Sequence, residues 1–95
     1  MQIKSTLTNR LGQVLDVFYY ENLDPTQNLE GKSLEGVHAI CFCKDKMIVV
    51  YAENKKYWTP PGGAIEAGET YEEAVVREVK EETNMKVLYQ ELIGF

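Results

Sequence analysis

Basic charge is scarce in this chain and nowhere concentrated. Ten Lys and Arg stand against fifteen Asp and Glu, for a net charge of −5. The few basic residues form no cluster, which argues against nucleic acid or an anionic membrane surface as a partner. Cysteine is as sparse. Cys41 and Cys43 are too few for a disulfide framework, and a C-x-C pair with a single histidine in the chain is a poor zinc signature. Both read as small buried hydrophobes on one face of a strand, in a reducing compartment. No apolar run reaches the ~18–20 residues that span a bilayer. The opening MQIKSTLTNR also lacks the apolar core of a secretion signal. These absences point to a cytoplasmic protein. Repeats and low-complexity segments are missing too. At 95 residues the chain makes one small domain. Chains of this size bury roughly 60–70% of their unfolded surface, so the core is expected to be thin.

What is present begins with short strand signals. Ile3–Leu7 and Val14–Tyr20 are apolar, β-branched and aromatic, and are separated by a polar turn. They predict an N-terminal β-hairpin over residues 1–20. Residues 21–36 (ENLDPTQNLEGKSLEG) are rich in turn formers and charge and read as a surface loop. Residues 37–43 are nearly all apolar and predict a central strand. A tight turn at 44–46 leads to a returning strand over 47–52. A second turn at 53–56 leads to a short strand over 57–59. Pro60-Pro61-Gly62-Gly63 should break regular structure. A last strand is expected over 85–93. His38 and Trp58 read as structural and packing residues, and Tyr19 and Tyr20 as strand residues that pack.

Seven of the fifteen acidic residues lie between Glu66 and Glu82. A carboxylate cluster is usually a solvated helix face. Here the angular spacing says otherwise. Thr70 with Glu73 makes a capping box, and Asn84 suits a left-handed helix end, so a helix is predicted over 71–83. At 100° per residue, Glu82 falls about 40° from Glu78 and Glu81 about 60° to the other side. Tyr71, Ala74, Val75 and Val79 share that stripe, whereas Glu72, Glu73, Val76, Lys80 and Thr83 lie opposite. Because the apolar stripe packs inward, Glu78 and Glu82 should sit at or beside the packed face. Ionised carboxylates gathered there need compensation. Arg77 offsets one charge, and a divalent hard cation with oxygen ligands would offset more. Glu72, Glu73 and Lys80 are left as capping and solubility residues, and Glu66 as a loop carboxylate.

With the helix in place, residues 63–85 resemble the signature of the Nudix hydrolase family, G-x5-E-x7-R-E-U-x-E-E-x-G-U, where U is bulky and apolar. Gly63, Glu69, Arg77, Glu78, Val79, Glu81, Glu82 and Met85 match it, and Asn84 replaces the last glycine. Trp58-Thr59-Pro60-Pro61-Gly62-Gly63 resembles the family's usual W-x-x-P-G-G lead-in. The match covers about a quarter of the chain. Asn84 removes no ligand and carries only a small steric penalty at a positive φ.

The resemblance implies an α/β (α+β) fold, an alpha-beta-alpha sandwich around a mixed sheet. It also implies metal-dependent hydrolysis of the pyrophosphate bond in a nucleoside diphosphate linked to another moiety. Nucleoside triphosphates, ADP-ribose and nucleotide sugars all fit that description. By the same resemblance Glu78, Glu81 and Glu82 correspond to ligands of Mg²⁺ or Mn²⁺, with the Gly63 carbonyl joining them. Arg77 corresponds to an orienting residue that grips a glutamate through a bidentate pair, and Glu69 to a supporting one. Glu81 or Glu82 serves as base, unless the base comes from a segment beyond these residues. The family fold normally continues with further strands and a second helix. On that ground the chain reads as a domain truncated at its C-terminus, with residues 85–93 presenting an open edge. Association into a homodimer, or strand exchange, is expected through that edge. The alternative reading is a Nudix-like module that senses a nucleotide without cleaving it. Substrate-contacting residues cannot be named from the sequence.

Overall fold

The computed structural model describes residues 2–8, 11–21, 23–27 and 31–95. Among the described residues the fold is α+β, with short strands and one helix, and the chain divides into two compact units.

One unit comprises Met1–Ser33 and Glu91–Phe95. It contains the expected hairpin. Strand β1 (Gln2–Thr8) pairs antiparallel with β2 (Val14–Tyr20), in a register running from Gln2 opposite Tyr20 to Thr8 opposite Val14. Asn9 and Arg10 of the predicted turn lie outside the described residues. Tyr20 is buried, as a packing strand residue should be. Its N–H donates to the Phe95 carbonyl at 2.9 Å, and the Phe95 N–H donates back to the Tyr20 carbonyl at 3.1 Å. The two rings stack with centroids 5.1 Å apart. In the following loop, Asp24 accepts from both the backbone N–H and the hydroxyl of Thr26, an Asx turn that holds its carboxyl below the usual value.

The other unit, Leu34–Gln90, differs from the sequence reading in three places. First, the strand expected over 37–43 is split into β3 (Gly36–His38) and β4 (Cys41–Cys43). The cause is a change of partner. β3 pairs with β8 (Gly62–Ala64), and the Ala39 N–H extends that ladder to the Pro61 carbonyl at 2.8 Å. β4 pairs with β5 (Lys46–Ile48). The returning strand divides likewise, into β5 and β6 (Val50–Ala52), and β6 pairs with β7 (Tyr57–Thr59). Second, Gly62-Gly63 does not break regular structure but belongs to β8. Third, residues 85–93 form no strand. A strand exists through its ladder, and no neighbouring strand offers one there among the described residues. Leu88 is 90% exposed and Tyr89 79%, whereas Met85 and Val87 are half-buried, so only part of the segment's apolar surface packs.

All four described ladders are antiparallel pairs. The β4–β5 hairpin turns on Lys44 and Asp45, both at positive φ (50° and 67°). That is the geometry that matches strand twist in two-residue loops. Cys41 and Cys43 share one face as expected, but they are half-buried rather than buried, because they lie on a two-stranded hairpin. Trp58 does not pack beneath a loop. It is 67% exposed and faces its cross-strand neighbour Tyr51 at 5.4 Å.

Helix α1 (Tyr71–Thr83) has the predicted boundaries and packs against β3 and β8. Thr70 accepts from the Glu73 N–H at 3.1 Å, and the Glu73 carboxylate accepts from the Thr70 N–H at 3.0 Å. Asn84 ends the helix at φ 60°. Its N–H donates to the Lys80 carbonyl, and its side-chain oxygen accepts from Lys80 Nζ at 2.9 Å. Asn tolerates this left-handed conformation better than alanine does. Asn84→Ala should therefore cost about 1 kcal/mol, whereas Asn84→Gly should change stability by less than about 0.5 kcal/mol. Urea midpoints at constant m would show the difference, and equal losses in the two variants would refute it.

Candidate functional site

The site is built where α1 lies along β8. Two adjacent glycines make the approach possible, for different reasons. A Cβ on Gly62 would meet the Val37 carbonyl oxygen and would come within 2.9 Å of His38 Cα, so this glycine lets β8 lie close to β3. A Cβ on Gly63 would lie 2.5 to 2.8 Å from the Glu78 carboxylate, so this glycine lets the helix side chain reach the strand backbone. Ala74 and Val79 are buried on the same face of α1, as the angular reading required, and Glu78 is only 9% exposed between them.

Arg77 ties the cluster together. Its Nε donates to Glu69 Oε2 at 2.7 Å and one terminal nitrogen donates to Glu69 Oε1 at 2.9 Å, a bidentate fork. The same terminal nitrogen reaches the Ala64 carbonyl at 2.9 Å. The other terminal nitrogen donates to Glu78 at 2.8 Å and to Glu81 at 3.3 Å, with Glu66 at 3.6 Å. One guanidinium thus serves helix, strand and loop, since Glu69 also accepts from the Glu66 N–H at 3.1 Å. The bidentate pair expected of Arg77 is present, and the carboxylate it grips is Glu69.

The Arg77 hydrogen bonds, helped by the Glu66 N–H, hold the Glu69 carboxyl below its ordinary value of 4.5, and Glu69 in turn raises the Arg77 guanidinium. A carboxyl depressed in the folded state contributes stability that is full above its unfolded value. That contribution is lost as pH falls through the folded value. Stability should therefore decline with an acid limb beginning below about pH 4.5, and Glu69→Gln should flatten that limb. Urea midpoints measured between about pH 3 and 6 test this. An unchanged limb in Glu69→Gln would remove Glu69 from the explanation.

Of the three carboxylates expected to meet, Glu78 and Glu81 share one terminal nitrogen of Arg77 and Glu82 stands apart. Glu78 lies on Gly63 and Arg77, and Glu81 is exposed and turns toward Arg77. Glu82 is exposed and accepts from the Gly62 N–H at 3.2 Å. Among the described residues, no three His, Cys, Asp or Glu side chains surround a common point suited to a metal ion. One guanidinium nitrogen offsets the paired charges of Glu78 and Glu81, while the Gly62 N–H draws Glu82 away from them. The donor chemistry still fits a hard divalent cation. It consists of carboxylate oxygens one helical turn apart, with the Glu78 carboxylate against the side-chain-free backbone of Gly63.

Glu82 also lines an open cleft of about 440 Å³, with Gly62, His38, Tyr51, Asn54 and Lys55 among its walls. That volume suits a small-molecule ligand. The sequence reading gave His38 a structural role and named no residue of the β6–β7 turn for function. Nothing in the order of residues signals that this turn reaches the Glu82 side of the helix.

Comparison with known proteins agrees with this geometry. The family model of the NUDIX domain matches residues 32–95. The uncharacterized Nudix hydrolase YvcI of Bacillus subtilis is 34% identical over 50 residues, covering 53% of this chain and 32% of that protein. The ADP-ribose pyrophosphatase of Methanocaldococcus jannaschii is 42% identical over 53 residues, covering 53% of this chain and 31% of that protein. The matched stretch thus spans about a third of the length of either relative. No solved structure matches. The NUDIX match takes in well over half of the chain, including every residue of the Arg77 network, and the chain belongs to the Nudix hydrolase family.

Proposed function

We infer that the domain hydrolyses the pyrophosphate bond of a nucleoside diphosphate linked to another moiety, with Mg²⁺ or Mn²⁺ as cofactor. One observation carries this reading. Glu78 is buried against Gly63 and held by one terminal nitrogen of Arg77, while Glu82, one turn on, stands on the neighbouring Gly62 N–H at the edge of a ligand-sized cleft. Glu78, Glu81, Glu82 and the Gly63 carbonyl would hold the cation. When bound, it neutralises phosphate oxygens and acidifies water.

The protein's own groups do the rest. Arg77 fixes Glu78 and restrains Glu81, so neither swings freely. Glu82 or Glu81 accepts the proton of the attacking water. No helix among the described residues is long and apolar enough to cross a membrane. The archaeal relative's name puts ADP-ribose first in the panel, ahead of nucleoside triphosphates and nucleotide sugars. The test is product release from that panel with Mg²⁺ or Mn²⁺, with and without EDTA. Metal-dependent release of a nucleoside phosphate is expected. Tight nucleotide binding without release would favour the sensor reading instead.

A further inference from the structure

A polyphosphate entering beside Glu82 meets a surface rich in carboxylates. Arg77 cannot meet it freely, because its guanidinium is engaged by Glu69, Glu78, Glu81 and the Ala64 carbonyl. Among the described residues that line the cleft, only Lys55 carries a permanent positive charge. The β6–β7 turn fixes its position. The Lys55 N–H donates to the Ala52 carbonyl at 3.1 Å and the Lys56 N–H donates to the same oxygen at 2.7 Å. The turn is therefore closed at its base, and Ala52 also lines the cleft. Lys56 follows at φ 59° and is not part of the lining. Among the described residues, no ion pair engages the Lys55 ammonium; all four salt bridges belong to Arg77. Two polar neighbours, His38 and Asn54, stand in the same walls. His38 also packs over Gly62, the residue whose N–H holds Glu82. Tyr51, Val50 and Pro60 give the cleft an apolar side against which a sugar or base can lie.

We propose that Lys55 is a substrate-binding residue that takes the phosphate oxygens of the nucleoside diphosphate in this cleft, with His38 and Asn54 as adjoining hydrogen-bonding groups. The proposal rests on the hydrolase reading only for the class of ligand. A flexible ammonium on a turn suits this role, since it donates to phosphate as a point charge without demanding one fixed fork geometry.

The test is ADP binding to the full chain, followed by NMR titration in EDTA so that no divalent cation contributes, with adenosine as the uncharged control. Lys55→Ala should weaken ADP about tenfold, the size expected for losing one hydrogen bond to a charged group. Adenosine binding should be unchanged. Lys55→Arg should restore most of the ADP affinity. Lys56→Asn, which removes the neighbouring charge with a residue that tolerates positive φ, should leave it as in wild type. The proposal is overturned if wild type fails to bind ADP, if Lys55→Ala binds it normally, or if Lys56→Asn weakens it equally. Thermal melts of each variant separate loss of the contact from loss of the fold. Failure to hydrolyse any compound in the panel, with Lys55-dependent ADP binding intact, would defeat the hydrolase reading alone. Hydrolysis with a KM unaffected by Lys55→Ala would defeat this assignment alone.

Discussion

Gly62→Ala is expected to destabilise the protein by about 3 kcal/mol, the upper part of the range for forcing extra volume into a packed site. The added methyl group would strike the Val37 carbonyl oxygen and crowd the His38 backbone. Backbone atoms in a ladder cannot rotate aside as a side chain can, so β3 and β8 must separate. The thermal midpoint should fall by roughly 12 °C or more for a domain of this size. The neighbouring change should behave differently. In Gly63→Ala the new atom meets the Glu78 carboxylate instead, which yields by giving up its seat beside the strand. Gly63→Ala should therefore lose most activity while keeping more stability than Gly62→Ala. Calorimetry and nucleotide hydrolysis on the two variants give the comparison. If Gly62→Ala melts like wild type, the close approach of the two strands is wrong.

Arg77→Lys should lower kcat on the order of 100-fold, the effect of a small misplacement of groups that act together. Charge is conserved in this substitution, so the loss isolates geometry. An ammonium offers a single charged centre, whereas the guanidinium meets Glu69 through two parallel hydrogen bonds while still reaching Glu78 and Ala64. With lysine, at most part of that set survives, and Glu78 is left with less to hold it. KM for the nucleotide should change much less, because Arg77 does not line the cleft. A matching rise in KM with kcat preserved would show that Arg77 contacts substrate directly and would remove it from its orienting role.

Helix α1 was legible in the sequence because its signals are local. Thr70 and Glu73 cap each other, Asn84 stops the chain in a left-handed turn, and the stripe through Ala74, Glu78 and Val79 follows from angle alone. The hairpin of β1 and β2 was legible for a similar reason, since two β-rich runs joined by a short polar turn can hardly pair otherwise. What failed depends on partners far along the chain. Residues 37–43 look like one strand, yet the segment changes partner after Ala39, from β8 to β5. Gly62-Gly63 looks like a breaker, yet the absence of side chains is what lets β8 lie so near β3 and Glu78. Residues 85–93 have strand composition but join no ladder among the described residues. In the candidate site, the motif spacing named Arg77 and the glutamates that the structure gathers on it, whereas Lys55 and His38 reach the cleft only through tertiary structure.

The most direct test of the metal-site assignment is equilibrium binding of Mn²⁺, followed by the loss of its free electron paramagnetic resonance signal on titration with protein. Wild type should bind the ion. Glu78→Gln and Glu82→Gln should each weaken it by about tenfold or more, on the scale seen when a metal site loses a supporting group. Glu72→Gln, on the exposed side of α1, should bind it as wild type does. Equal Mn²⁺ affinity in all four proteins, or loss in Glu72→Gln as large as in Glu82→Gln, would contradict the assignment.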